Sequence, residues 1–424
     1  MTLKPYPRYR SLGLDWFDEV PEGWSIEPLR NLSAFTTGWT PPTGNADSYE
    51  GDHLWANISD LGPKHLGDTV KRLSSDAIAA NRMPVSPKGS LLFSFKLTIG
   101  SVSIADREMY TNEAIATFQP SSRLLIDYAY FSLPLFVVRN ATENIYGAPM
   151  LNARLMRSAR VAVPPVAEQR QIADYLDVQT AKIDTLIGKE EQLIETLAER
   201  LDGHWSEAVT EMIGRSPSVP LRRVMSSIVD GPFGSSLTSA HYSEAGASVV
   251  RLGNIGIDEF KLEDRAYIPS DYAQSLSAHA MRPGDLVVAG LGDERMPLGR
   301  AAIVPDAFGT GIVKADCYRV RPGPCVTANY LAWILSSPQS RVQFRALSRG
   351  STRQRLNTQV VRDVVIPLPT ISVQSEAVEK FHSIRQSNAL LEAKAREMID
   401  ILKERRQALI SAAVTGKIDV RGLA

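Results

Sequence analysis

The sequence predicts an α+β protein: two mixed α/β globular parts joined to two long helices that pair within the chain, related by a pseudo-two-fold internal repeat. Three observations predict it. The stretch 163-VPPVAEQRQIADYLD-177 ends an apolar run in two prolines and opens at once into a charged, heptad-spaced segment, and 366-IPLPTISVQSEAVEKF-381 does nearly the same later. Shifted by 205 positions, residues 152–210 align without a gap on residues 357–415. The matched segments also carry apolar residues in alternating steps of four and three, the spacing of a coiled-coil seam.

The totals limit the alternatives. At 424 residues the chain is too long for one ordinary core. No run approaches eighteen apolar residues, so no membrane span is expected. The first 24 residues lack an apolar h-region, and no signal peptide is expected. Cys317 and Cys325, spaced C-x7-C, make neither a disulfide framework nor a metal motif, and so few cysteines point to a reducing, cytoplasmic setting. With 47 basic and 47 acidic residues the net charge neither demands nor excludes nucleic acid; its distribution has to decide.

The repeat divides the chain. Identical pairs include Asn152/Asn357, Pro164/Pro369, Gln169/Gln374, Leu186/Leu391, Ile194/Ile399 and Leu197/Leu402. Upstream, 87-PKGSLLFSF-95 echoes 283-PGDLVVAG-290. The expected organisation is a first globular part over 1–165, a long helix over 166–214, a second part over 215–370, and a second helix with a tail over 371–424.

For the first helix the seam is read through Ile172, Leu176, Gln179, Ile183, Leu186, Glu190, Leu193 and Leu197. For the second it is read through Ala377, Phe381, Ile384, Asn388, Leu391, Ala395, Met398 and Leu402. The polar members Glu190 and Asn388 either fix register or face solvent. A 45-residue helix spans about 65 Å, close to two turns of B-DNA. Heptads alone do not set the orientation. Antiparallel pairing holds two related readers at opposite ends of a spacer, which gives the helices an evident purpose on a duplex.

Both globular parts mix strands (53–61, 90–95, 248–255, 286–290) with helices (127–136, interrupted by Pro134, and 329–337). Loops of small polar residues, 36-TTGWTPPTG-44 and 230-DGPFGSSLTS-239, suit a phosphate backbone and equally suit ordinary turns. Charge is more telling. Residues 341–362 hold six arginines and no acid, and the counterpart 135–160 holds Arg139, Arg154, Arg157 and Arg160 against Glu143 alone. A basic cluster repeated at one place beside Ser, Thr, Asn and Gln is what phosphate and base-edge contacts require. No nucleotide P-loop, hydrolase elbow or metal-spaced histidine set occurs, and no Asn-Pro-Pro-aromatic motif of DNA amino-methyltransferases. The chain reads as a recogniser and scaffold. A coiled-coil adaptor for protein partners and a diverged enzyme stay open.

These residues resemble a known family, the specificity subunits of Type I restriction–modification systems. The resemblance rests on 22-EGW-24, 29-LRNLSAFTTGWTPPTG-44, 52-DHLWANISDLG-62, 87-PKGSLLFSFKLTIGSVSIA-105, 111-TNEAIATFQP-120, the 163–177 junction and 402-LKERRQALISAAVTGKIDV-420. The second globular part departs more: 370-TISVQSE-376 replaces a proline-leucine-x-Glu-Gln pattern, which weakens that junction's match but not its position. It implies two target-recognition domains, each reading half of a split site in double-stranded DNA, and an antiparallel helix pair acting as a ruler. Two methyltransferase subunits and restriction/translocase subunits would dock on it. S-adenosylmethionine, ATP and Mg would belong to those partners, with no cofactor or metal in this chain. For base or phosphate contacts, position and chemistry select Thr37, Lys96, Thr98 and Arg154 in the first domain, and Ser235, Arg251, Arg300, Arg349 and Arg353 in the second.

Overall fold

The computed structural model describes residues 4–12, 17–42, 44–143, 147–293, 295–348 and 354–423. They form two compact units, Met1–Glu190 with Glu397–Ala424, and Glu191–Arg396, so each long helix contributes to both.

The first unit is built on a five-stranded sheet of β1 (Phe35–Thr37), β2 (His65–Leu66), β3 (Leu91–Ser94), β4 (Val102–Ala105) and β5 (Ile115–Phe118), in the order β1-β5-β3-β4-β2. All neighbours are antiparallel except β2 and β4. β3 and β5 are buried along their whole length, which is why they read as near-continuous apolar runs rather than alternating ones. Helix α1 (Ile126–Val138) accommodates Pro134 in its interior, and most of its side chains are buried. Helix α2 (Ala153–Ser158) starts at Asn152, whose side chain accepts the Leu155 N–H at 2.9 Å, a cap for an otherwise unpaired donor. Strand Arg160–Val163 then pairs antiparallel with Ser25–Pro28, closing the unit. The two prolines end that strand and release the chain into helix α3 (Val166–Arg215).

Gln169 fixes the junction. Fully buried in the first turn of α3, it donates to the carbonyls of Arg123 (2.9 Å) and Pro164 (3.0 Å) and accepts the Leu125 N–H (2.9 Å). Tyr128 adds a hydroxyl bond to the Ala162 carbonyl.

The second unit repeats the plan. Strands β6 (Met225–Val229), β7 (Leu286–Ala289), β8 (Ala301–Ile303) and β9 (Cys317–Pro322) lie in the order β6-β9-β7-β8, matching β1-β5-β3-β4. A smaller mixed sheet pairs Ala247–Val250 in parallel with Gly311–Val313. Helix α4 (Ala328–Ser336) buries Trp333, Tyr330 and Leu331, and helix α5 (Thr358–Asp363) is capped by Asn357 as α2 is by Asn152. Strand Val365–Pro367 pairs with Ser218–Pro220 before helix α6 (Ile371–Val414) begins. There Gln374 donates to the carbonyls of Cys325 and Pro369 and accepts the Thr327 N–H, while Tyr330 donates to the Pro367 carbonyl. The unusual 370–376 segment therefore keeps the clamp.

The two long helices pack antiparallel. In the first unit Ile172 and Leu176 of α3 share a core with Ile410, Ala413 and Val414 of α6, and Arg406 Nε meets Asp184 Oδ1 at 2.9 Å. In the second, Trp205 packs against Phe381 with the rings tilted (centroids 4.4 Å apart), and Asn388 donates to the Leu197 carbonyl at 3.0 Å. Burying a side chain of Phe381's size stabilises by about 1.5–3 kcal/mol.

The expected seam needs correction. Leu176, Ile183, Leu197, Phe381 and Leu402 are buried and Ile384 is half-buried, but Leu186, Leu193, Leu391 and Met398 are exposed. Their places are taken one residue later by Ile187, Ile194, Glu392 and Ile399, all buried or half-buried. The every-seventh positions Ile183, Glu190 and Leu197 hold; the intermediate step is four residues rather than three.

The 414–418 tail has a local cause as well. Gly416, at φ +72°, ends α6 with its N–H on Ala413 O, while Lys417 N–H reaches Ala412 O; this is a Schellman stop that favours glycine. A Cβ on Gly416 would meet Pro21 Cδ at 2.5 Å. Beyond it Asp419 pairs with Lys4 in a backbone bridge, and Arg421 lies over the Tyr6 ring.

Candidate nucleic-acid interface

In the first unit one end of the sheet gathers several loops. Registers Thr37↔Ala116 and Ser94↔Ile115 place the end of β1, the start of β5 and the end of β3 at the same level. Thr37 closes β1, while Lys96 and Thr98 stand on the β3–β4 loop; all three are exposed. Gly38 lets the chain leave β1 tightly, since a Cβ there would sit 1.7 Å from the Thr111 carbonyl oxygen. The hydroxyl of Thr40 bonds the Glu113 carboxylate and holds it below the usual carboxylate range, with Lys96 adding to the effect. The surface thus offers hydroxyls and an ammonium, with its nearby acid already engaged.

The second unit presents the same end of its sheet. Gly231 lies two residues past β6, where Gly38 lies one past β1, and its Cβ position would be 2.0 Å from the Lys314 carbonyl carbon. Ser235 sits exposed in the short turn Gly234–Ser236. Asp230 accepts the N–H groups of Gly231 (2.7 Å) and Asp316 (2.9 Å), and burial pushes its carboxyl up. Arg355 pairs through Nε with Asp316 (2.6 Å) and lies 5.5 Å over the ring of Phe233.

The remaining expected residues divide. Arg251 follows Val250, whose carbonyl accepts the Lys314 N–H, but its guanidinium is paired with Asp264. Arg300 needs correction. It is 4% exposed, and it donates to the carbonyls of Ile255, Leu291, Met296, Pro297 and Leu252. It organises the loops beside β7 and β8 from beneath and presents no face to a ligand. Arg154 is exposed on α2; its neighbour Arg157 lies over Phe35, at the opposite end of β1 from Thr37. Arg349 and Arg353 lie outside the described residues. Within the same basic run Arg341 is also structural, packed over Trp205 with its Nε on the Ser336 carbonyl. Leu97, Phe233 and Arg355 belong to these sheet ends and were not singled out by the sequence, although each falls in a stretch it flagged.

Among the described residues no group of three or more His, Cys, Asp or Glu is placed to hold a metal ion, and no helix is long and apolar enough to cross a membrane.

Two α+β units, each closing its terminal strand pair onto a long helix and presenting one loop-bearing sheet end, define the class: a duplicated α+β scaffold. Residues 21–196 match the family model described as Type I restriction modification DNA specificity domain. The MjaVIII specificity subunit of Methanocaldococcus jannaschii is 21% identical, covering 95% of each chain. The EcoBI specificity subunit of Escherichia coli is 21% identical over 69% of this chain and 65% of that one. The fold is shared with a chain from a structure on complex assembly and conformational transition of the type I R-M system (TM-score 0.67, 16% identity, 94% of this chain and 99% of that one). It is shared also with the HsdS subunit from Thermoanaerobacter tengcongensis (TM-score 0.51, 16% identity, 94% and 98%). The chain is thus similar to the Type I restriction–modification specificity subunits, through a matching domain over residues 21–196 and an alignment with one such subunit along 95% of its length.

Proposed function

We propose that each unit reads one half of a bipartite site in double-stranded DNA, and that the paired helices set the gap between the halves. In this reading two methyltransferase subunits and restriction/translocase subunits dock on the scaffold and bring S-adenosylmethionine, ATP and Mg. The chain itself is non-catalytic and acts in the cytoplasm. The observation that carries the reading is the duplication of one device: the same strand order, the same glycine-tightened exit from the edge strand, and the same Asn cap and Gln clamp tying the unit to a helix. Thr37, Lys96 and Thr98, and in the second unit Ser235, supply hydroxyl and ammonium groups suited to phosphate and base edges.

Methylated adenines are to be mapped in cells co-expressing the chain with its neighbouring methyltransferase subunit. A two-part motif with a fixed gap, absent without the chain, supports the reading. If no methylation depends on the chain and its duplex affinity is insensitive to salt, the protein-adaptor reading replaces it, because phosphate neutralisation requires a steep salt slope.

A further inference from the structure

We propose that Leu97 and Phe233 are apolar wedges, one per unit, that enter the base stack of the half-site their unit reads. The proposal rests on the DNA-reading function above. Leu97 is 89% exposed and holds a left-handed backbone at φ +57°, a conformation that glycine or asparagine adopts readily and a leucine rarely does. Within this chain neither feature is repaid, since the side chain is almost wholly in water. The loop is nonetheless held in place. Gly100 N–H bonds Ser94 O and Ile99 N–H bonds Leu97 O, both at 2.9 Å, and the Ser94 hydroxyl bonds the Lys96 carbonyl at 2.9 Å. A strained, pinned, protruding apolar side chain fits a functional contact better than a packing one.

Its neighbours point to the kind of surface it meets. Lys96 and Thr98 flank it, offering an ammonium and a hydroxyl to an anionic backbone while the leucine reaches the apolar interior between bases. The second unit independently shows the same pairing. Phe233 is 55% exposed at the corresponding sheet end with Arg355 against its ring, again an apolar side chain beside a cation. Leucine and phenylalanine are side chains suited to prising a base step open, which makes the duplex easier to deform around the protein.

The test uses the full chain with its methyltransferase subunit and duplexes carrying the mapped motif, with 2-aminopurine walked through each half-site at positions other than the methylated adenine. Wild type is expected to raise the fluorescence at one step in each half. Leu97→Ala should abolish the rise in one half only and weaken binding about ten-fold, and Phe233→Ala should do the same in the other half. Leu97→Gly should lose the signal while raising the melting temperature, because the left-handed strain is relieved; that separates lost contact from lost folding. Retention of the fluorescence rise in both alanine variants overturns the proposal. So does a thymine-to-uracil change that reproduces the Leu97→Ala loss with no wild-type unstacking, which marks a groove contact. Weakened methyltransferase assembly without DNA also overturns it, and assigns Leu97 to a protein interface. If wild type yields no chain-dependent motif, the DNA-reading function itself has failed.

Discussion

Replacing Gln169 by leucine keeps the side-chain volume nearly constant and removes only its hydrogen bonds. Three backbone groups then lose their partner at a buried site: the carbonyls of Arg123 and Pro164, and the Leu125 N–H. An unsatisfied buried group costs about 1–3 kcal/mol, so the substitution should destabilise the first unit by about 3 kcal/mol or more. Against a typical total of about 5–15 kcal/mol that is a large share. Hydrogen exchange read by mass spectrometry should show faster exchange at 123–128 and 160–176, with 325–330 and 365–378 unchanged. Gln374→Leu should give the mirror result. Gln169→Glu should be no milder, because an ionised carboxylate keeps the acceptor for Leu125 but loses both donors and sets a buried charge against two carbonyl oxygens. A loss below about 0.5 kcal/mol, the scale of an ordinary surface change, would refute the clamp. Equal loosening of both units by either leucine variant would refute its local character.

Two further outcomes follow from the same geometry. Arg300→Met should destabilise the second unit by about 3 kcal/mol or more, since five carbonyls lose a donor, and Arg300→Lys should recover little because an ammonium cannot span the fork; thermal melts check both. The Arg421 guanidinium, bonded to Asp419 at 2.6 and 2.8 Å, holds that carboxyl below its ordinary range. A depressed carboxylate contributes stability that is present above the unfolded-state pKa, near 4, and is lost as pH falls through the folded value. Docking of the 415–423 tail should therefore loosen on acidification below pH ~4, and Asp419→Asn should weaken it at neutral pH while removing that dependence, as hydrogen exchange of the tail will show.

What was legible in the sequence was chemistry repeated locally. Asn152 and Asn357 cap helices, Pro164 and Pro369 stop strands, and Gln169 and Gln374 clamp junctions, so each duty leaves the same residue at the same offset. The seam was half legible. Ile183, Leu197, Phe381 and Leu402 follow from the sevenfold spacing, but apolar residues stand side by side at Leu186-Ile187, Leu193-Ile194 and Met398-Ile399. Spacing cannot choose between them; packing does. Arg300 looked like a ligand contact because the loops it joins, 252–255 and 291–297, meet only in three dimensions. The claim of Leu97 on function is a backbone dihedral and an exposure, and neither leaves a mark in residue type.

The measurement that tests the central claim most directly is a half exchange. Residues 1–160 are replaced by those of a relative with a different target, and methylated adenines are mapped in cells carrying the methyltransferase subunit. A new motif is expected, in which one half has changed while the other half and the gap are kept. A motif altered in both halves, or one whose gap shifts while both halves persist, would contradict that claim.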